Sequence, residues 1–264
     1  MIETAQAFGV DIGGSGIKAA PVDLVAGDFA EPRKKILTPE HSTPEAVGKV
    51  VHQLLDMFEV PDSVPVGVAF PAPVRPGHPI EFIANLDQAW VGQDVWQVLS
   101  QACGRPVSVV NDADAAGLAE VRYGAAKGQD GLVIATTLGT GIGSAIIYNG
   151  ELVPNSELGH LILDGKDAER YAASSVRDRK KLSYKKWAKR LTKYYAMLER
   201  YFSPDMFVVG GGVSRLSEKF LPYIEVKTPI VPAALRNQAG IVGAAYYASY
   251  IDQKVEPKLN PVAR

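Results

Sequence analysis

The chain has 264 residues, 47% of them hydrophobic and 22% charged, and its 28 basic and 29 acidic side chains leave a formal net charge of −1. That composition describes a globular chain long enough for one large domain or two ordinary ones, and it excludes a disordered polyelectrolyte. Apolar runs are only strand-length, the first ten residues lack a secretory signal pattern, and the single cysteine, Cys103, allows neither an internal disulfide nor a Cys-rich zinc site, so a cytoplasmic protein without a membrane span is expected.

Residues 8–22, FGVDIGGSGIKAAPV, read as strand, glycine-rich turn and strand. Gly13, Gly14, Ser15 and Gly16 form the turn, Asp11 stands just before it and Lys18 lies on the return strand. Only eight residues precede Gly9, so no DNA-binding segment is expected ahead of the hairpin. A polar connector fills 23–38. Ser42-Thr43-Pro44-Glu45 starts a helix that the periodicity carries to about Phe58. A buried strand is expected at 66–70, stopped by Pro71-Ala72-Pro73, then a Pro/Gly loop to about Asn85 and a short helix at 94–103 ending in a structural thiol, Cys103. The strand at 107–110 runs straight into Asn111-Asp112-Ala113-Asp114 and an alanine-rich helix to 123.

Residues 133–150, VIATTLGTGIGSAIIYNG, repeat the opening pattern, with Gly139, Thr140, Gly141 and Gly143 in the turn. A polar loop follows at 154–167, then helices at about 168–176 and 184–202. A strand at 206–209 leads into a third glycine cluster, Gly210, Gly211 and Gly212, with a helix from Arg215. A strand at 226–230, a closing helix at 240–251 and a loosely held polar tail at 252–264 complete the chain. Strands alternating with helices predict an α/β architecture. Two similar hairpins predict two similar half-domains facing one ligand.

Turns of this composition present backbone N–H groups with no side chain in the way, which suits them to phosphate as well as to ordinary hairpins. Phosphoryl transfer needs held phosphates, a divalent cation and a base for the acceptor hydroxyl. Asp11 either holds magnesium, through water, or only caps its turn. Asn111 and Asp112 sit at the carboxyl end of a strand, where ligands gather in open α/β sheets. Asp112 then either takes a sugar hydroxyl's proton, with Asn111 fixing a neighbouring hydroxyl, or caps the helix. Asp114, in the first turn, supports the helix dipole. Glu157, His160 and Glu169 line a sugar site, hold a metal, or belong to a surface loop; one His with no Cys falls short of usual zinc ligation.

Between Arg177 and Lys193 there are nine basic residues and one acid. On the helix from Tyr184, the aromatic face of Tyr184, Trp187, Leu191, Tyr195, Leu198 and Phe202 opposes Lys185, Lys186, Lys189, Arg190 and Lys193. The basic stripe is a solvated face or a track for a polyanion such as inorganic polyphosphate. Its aromatics face the core, so nucleic acid is not expected.

Taken together, the motifs resemble the ROK family (repressors, open reading frames and kinases). DIGGSGIK and LGTGIGSA are similar to its two phosphate motifs, VVGGGVS to its adenosine-side motif, NDADAAGLAE to the segment with the catalytic aspartate, ELGH with Glu169 to its glucose-binding positions, and AGIVGAA to its second connecting segment. Many members carry a cysteine-rich zinc motif after the Gly-His pair. Here LILDGKDAER stands instead, so no zinc is expected, and the chain is similar to the zinc-free actinobacterial polyphosphate/ATP glucokinases. The resemblance implies an actin/hexokinase-like (ribonuclease H-like) two-lobed ATPase fold, each lobe a five-stranded mixed sheet, with a central sugar/phosphate cleft. The lobes would be 1–111 plus 239–264, and 112–238. It implies transfer of the terminal phosphate of polyphosphate or ATP, with Mg2+, to the 6-hydroxyl of glucose, and a homodimer. Asp112 would be the base. Asn85, Asn111, Glu157, His160 and Glu169 would hold the sugar, and residues 210–212 the nucleotide. Ala72 stands where the family pattern has glycine, which bears on mannose acceptance. The alternatives are a kinase using only ATP on hexose or mannose, and a non-catalytic sugar-responsive regulator.

Overall fold

The computed structural model of the protein describes residues 6–255; of the predicted tail, residues 256–264 lie outside that range, as do residues 1–5. Two mixed sheets share one topology. In the first, β1 (Gln6–Gly13) pairs antiparallel with β2 (Gly16–Asp23), which carries β3 (Asp28–Phe29) and β4 (Lys34–Ile36). On its other side β1 runs parallel to β5 (Val66–Phe70), reached through α1 (Pro44–Met57). Next to β5 lies β6 (Ser108–Asn111), reached through α2 (Val95–Cys103). All five residues of β5 are buried, because helices cover both faces of a parallel strand.

β6 leads into α3 (Asp112–Arg122), and the plan repeats. β7 (Leu132–Leu138) pairs antiparallel with β8 (Ile142–Tyr148), β8 with β9 (Glu151–Val153), and β7 runs parallel to β12 (Met206–Gly210) and that to β13 (Ile230–Pro232). Between β9 and β12 the chain forms a small hairpin, β10 (Ile162–Leu163) and β11 (Lys166–Asp167), then α4 (Ala168–Ala172), α5 (Ser174–Arg179) and α6 (Tyr184–Phe202). The strands β12 (Met206–Gly210) and β13 (Ile230–Pro232) complete the second sheet, and α7 (Ala239–Val255) closes the chain.

The expected duplication is therefore present as two sheets of matching order. The first sheet has six strands, not five, because the connector read as merely polar supplies both β3 and β4 along β2. Three further expectations need correction. The last strand lies at 230–232, not 226–230, because the Glu199 carboxylate takes the Lys227 and Thr228 N–H groups (2.8 and 2.6 Å) and ladder pairing begins only at the Pro229 carbonyl. The single helix expected at 168–176 is two: Ala173 is extended (φ −58, ψ 156), and the Ala172 carbonyl accepts from the Trp187 indole N–H at 2.8 Å. From Gly212 to Lys219 the chain forms 3-10 turns kinked at Leu216 instead of a regular helix.

The two connecting helices cross over. α3 follows the first sheet but packs on β7 and β8 of the second; α7 follows the second sheet but packs on β1 and β5 of the first. α3 and α7 then pack on each other. Their backbones approach so closely that Gly243 has the Ala115 carbonyl where a Cβ would stand, and Gly67 meets the Ala244 carbonyl in the same way. Each half has its own core, one around Phe8, Phe70 and Trp90, the other around Trp187, Tyr195 and Phe207. The aromatic face predicted for α6 is the buried one. Among the described residues no helix is long and apolar enough to cross a membrane.

Candidate active site

A cleft of about 1060 Å3 separates the two halves. Its floor is the β6–α3 junction. Asn111 ends β6 and caps α3: its Oδ1 accepts the Ala113 N–H at 2.9 Å and the Asp114 N–H at 3.2 Å. The capping role considered for Asp112 thus belongs to Asn111. Asp112 is the first helical residue and is left to face the cleft. It reaches solvent through the cleft and has protein on its other sides. That low-dielectric surround, reinforced by the charges of Asp11 and then Glu157, pushes its carboxyl up to about 7.

The second half supplies the facing wall. Glu157 precedes, and His160 ends, a short 3-10 turn, Leu158–His160. His160 lies between two carboxylates, with Nε2 3.8 Å from Glu157 and Nδ1 3.6 Å from Asp167; Asp167 also meets Arg170 at 3.6 Å. Burial raises the Glu157 carboxyl, His160 opposing and Glu169 adding to the rise. Glu169 reaches the phosphate-type turn, where its Oε2 accepts the Ile142 N–H at 3.3 Å. Ligand atoms of His160, Asp167 and Glu169 lie within 4.8 Å of one another, but both carboxylates already have protein partners and there is no thiolate among them.

Gly139, Thr140, Gly141 and Gly143 line the cleft opposite Asp112, with Gly211 beside them. None of the four needs a left-handed φ. Their smallness makes room instead: nothing lies within 4 Å of where a Cβ on Gly139 would be, while Gly141 gives way to the Glu169 carboxylate and Gly143 to Thr137 and Ala113. Gly211, at φ 83, backs against the main chain of Leu138; Gly210 and Gly212 sit on either side of it, outside the cleft wall.

The first hairpin stands at the edge. Gly13 and Gly16 are paired, Gly14 and Ser15 form an exposed tip, and Gly14 abuts the Asn85 backbone, whose residue does line the cleft. Lys18 lies opposite Asp11 in the β1–β2 register, and its Nζ is 3.1 Å from Asp11 Oδ2. Asp11 and Lys18 are not in the cleft wall, yet the Asp11 charge reaches Asp112. With one oxygen on Lys18, Asp11 fits a hydrated magnesium held through water better than a full inner coordination shell.

Sequence reasoning missed Asn155, Asp167, Arg170 and Ser175. Asn155 bridges the two halves; its Pro154-Asn155-Ser156 context is a turn signal in the sequence, and the structure gives it a φ of 61, which asparagine tolerates. Asp114, read as dipole support, is buried (1% exposed), and its Oδ2 accepts the Asn155 N–H at 2.7 Å. Burial pushes its carboxyl up to about 7. Ala72 keeps a negative φ, so the alanine needs no conformation reserved for glycine. Cys103 is buried at the end of α2, and burial raises its thiol to about 11, as a structural thiol requires.

Comparison with known proteins agrees with this geometry. The ROK family model matches residues 7–172. A polyphosphate glucokinase of Mycobacterium leprae is 48% identical over 241 residues, covering 91% of this chain and 74% of the relative. Another of that name, from Mycobacterium tuberculosis, is 48% identical over 239 residues, covering 90% and 89%. The crystal structure of an inorganic polyphosphate/ATP-glucomannokinase from Arthrobacter sp. strain KM matches with a TM-score of 0.86 at 46% identity, covering 94% of this chain and all of the other. A ROK glucokinase from Streptomyces griseus, solved with glucose and AMPPNP, matches at 0.78 with 26% identity, covering 93% and 99%. The two-sheet architecture is the actin/hexokinase-like α/β fold that these proteins share. With the family model running from the first hairpin to α4, and close to half the residues identical over nine-tenths of the chain, this protein belongs to the ROK family.

Proposed function

We propose that the protein is a glucokinase that transfers the terminal phosphate of inorganic polyphosphate, and of ATP, to the 6-hydroxyl of glucose. The observation that carries this reading is the position of Asp112, on the cleft floor between a polar wall and a glycine loop with open space before it. A carboxyl raised to about 7 is matched to accepting a hydroxyl proton near neutral pH. Asn111, whose Oδ1 is committed to α3, has its amide to offer a sugar hydroxyl; Glu157, His160, Glu169 and Asn85 complete the sugar site.

In the step, Asp112 takes the proton of the 6-hydroxyl as its oxygen bonds to the terminal phosphorus. The bond to the bridging oxygen breaks, and ADP or the shortened polyphosphate leaves. The N–H groups around residues 139–143 hold the oxygens of the transferred group, with the first hairpin, Gly13 to Gly16 and Lys18, meeting the donor from the opposite half as the cleft closes. Mg2+, with Asp11 behind its water shell, would offset the charge that the donor brings. Residues 210–212 would take the nucleotide when the donor is ATP. The lobes would be 1–111 plus 239–264, and 112–238. On α6, Lys185, Lys186, Lys189, Arg190 and Lys193 are the candidates for a polyphosphate track; Lys185, Lys186, Lys189 and Lys193 are exposed and Arg190 is half-buried, with Lys193 paired to Asp164 and Lys185 over the Tyr223 ring. Mannose as a second acceptor, a homodimer and a cytoplasmic setting belong to the same reading.

A matrix of donors (polyphosphate, ATP) against acceptors (glucose, mannose), read as sugar 6-phosphate formed, tests it. Product with polyphosphate and glucose is expected. No product in any combination would refute the kinase; product with ATP alone would restrict it to a nucleotide donor. Light scattering tests the dimer.

A further inference from the structure

The basic run after the phosphate loop is not one uniform face. Lys193 is paired with Asp164 at 2.7 Å, and Arg190 donates to the Tyr171 carbonyl at 2.9 Å while its guanidinium lies over the Tyr171 ring. Lys185 lies over Tyr223, and Arg177 packs on Tyr184 and pairs with Asp178. Arg179, Lys180 and Lys181 differ: all three are exposed, and among the described residues none of them is in an ion pair.

Their position is fixed by α5, which is fastened to the tip of the phosphate loop. The Ser175 N–H donates to the Gly139 carbonyl at 3.0 Å, and its hydroxyl to the Thr140 carbonyl at 2.6 Å. Arg179 is four residues further on, so it lies on the same helix face as Ser175, about 6 Å along the axis. Lys180 closes the helix and Lys181, at φ 50, reverses the chain toward α6. That left-handed position favours Gly or Asn, yet a lysine occupies it. A row of cations outside any ion pair among the described residues thus begins about one helical turn from the loop tip. The third glycine cluster meets the same loop elsewhere, for Gly211 backs onto Leu138 at the strand end.

We infer that the two donors share the loop at 139–143 and then diverge. The body of an inorganic polyphosphate chain leaves past the loop tip along Arg179, Lys180 and Lys181, whereas the nucleoside of ATP lies over residues 210–212. This rests on the two-donor reading above. It moves the first polyanion contacts off α6 and onto the end of α5, with Lys186 and Lys189 further out. It also makes the two donors mutually exclusive, since their terminal phosphates occupy one place.

The test compares KM for long-chain polyphosphate, tripolyphosphate and ATP, in the native protein and in the triple variant Arg179→Gln, Lys180→Gln, Lys181→Gln. KM for the long chain should rise about tenfold or more and lose much of its dependence on salt. KM for ATP, whose nucleoside takes the other path, should stay within about twofold, the effect of an ordinary surface substitution, and KM for tripolyphosphate, which reaches at most the first of the three cations, should rise less than that for the long chain. Arg179→Gln alone, away from the turn at Lys181, should show part of the same selective loss, and a thermal melt controls for folding. An equal rise for all three donors, or an unchanged KM for the long chain, overturns the divergent path while leaving the kinase reading in place. Native protein that phosphorylates glucose from ATP but not from polyphosphate overturns the donor reading itself, and this inference with it.

Discussion

The Asn155 side chain grips both backbone groups of Val74 across the cleft: Oδ1 accepts the Val74 N–H at 2.9 Å and Nδ2 donates to the Val74 carbonyl at 3.0 Å. Val74 belongs to the loop after β5 on one half, Asn155 to the loop after β9 on the other. Behind Asn155, its own N–H is held by the buried Asp114. Asp112 and Asp114 therefore stand in one turn of α3, one facing the cleft and the other holding the clasp.

Breaking the clasp should loosen the sugar side before it harms the chemistry. Asn155→Ala removes both bonds and leaves the Val74 groups to water, so we expect KM for glucose to rise about tenfold, with a smaller fall in kcat and a Tm lower by a few degrees. Steady-state kinetics at saturating donor separates the two parameters. An unchanged KM would show that the loop after β5 is held without Asn155.

The pH dependence follows from Asp112. As a base it works deprotonated, and with its carboxyl raised to about 7 the rate should climb through neutral pH and level off above it. Asp112→Asn keeps the size but removes the base, and kcat should fall about a hundredfold or more with the rising limb lost. Retained turnover with the same pH profile would move the base elsewhere.

Asp114 makes a different prediction, on stability. Its carboxyl is raised from 3.8 in the unfolded chain to about 7 in the fold, so the folded protein holds the proton more tightly. That contribution is complete below pH 4 and is lost as pH climbs through 7. One carboxylate oxygen, Oδ1, is buried without a hydrogen-bond partner among the described residues, which makes the charged form costly. Asp114→Asn keeps an oxygen for the Asn155 N–H and cannot ionise. The variant should melt a few degrees above the native protein at pH 8, with the gain shrinking toward pH 5. Paired thermal melts at the two pH values decide it.

Two glycines should respond in opposite ways. At Gly139 a side chain enters open space, so Gly139→Asp should fold normally and yet weaken donor binding by placing a negative charge where phosphate goes. At Gly243 even a methyl group collides with the Ala115 carbonyl, so Gly243→Ala must separate α3 from α7 and should cost about 1–3 kcal/mol of stability. Denaturant melts and donor KM for both variants distinguish the two.

What was readable in the sequence was local and repeated. The two glycine hairpins, the Asn111-Asp112 pair at a strand end and the aromatic face of α6 are carried by neighbours in sequence, so spacing and period reveal them. What was not readable depends on long-range bonds. Glu199 delays the last strand by taking its N–H groups, and Trp187 ends α4 by taking the Ala172 carbonyl. The basic residues of α6 looked equivalent as a stripe, until Asp164 and Tyr171 engaged part of it. The phosphate-loop glycines were legible as glycines, but the reason for them, space and not backbone angle, needed neighbours that lie up to 30 residues away.

The exchange of helices between the sheets has a mechanical consequence. Asn111 ends a strand of one sheet, while Asp112 begins a helix seated on the other. The peptide bond joining them is where two rigid bodies meet. A change of angle between those bodies therefore aims or misaims the carboxylate relative to whatever Asn111 holds. For the proposed reaction this joint would be a safety catch: with no sugar to draw the halves together, Asp112 would stay out of line, and a bound donor would be spared attack by water.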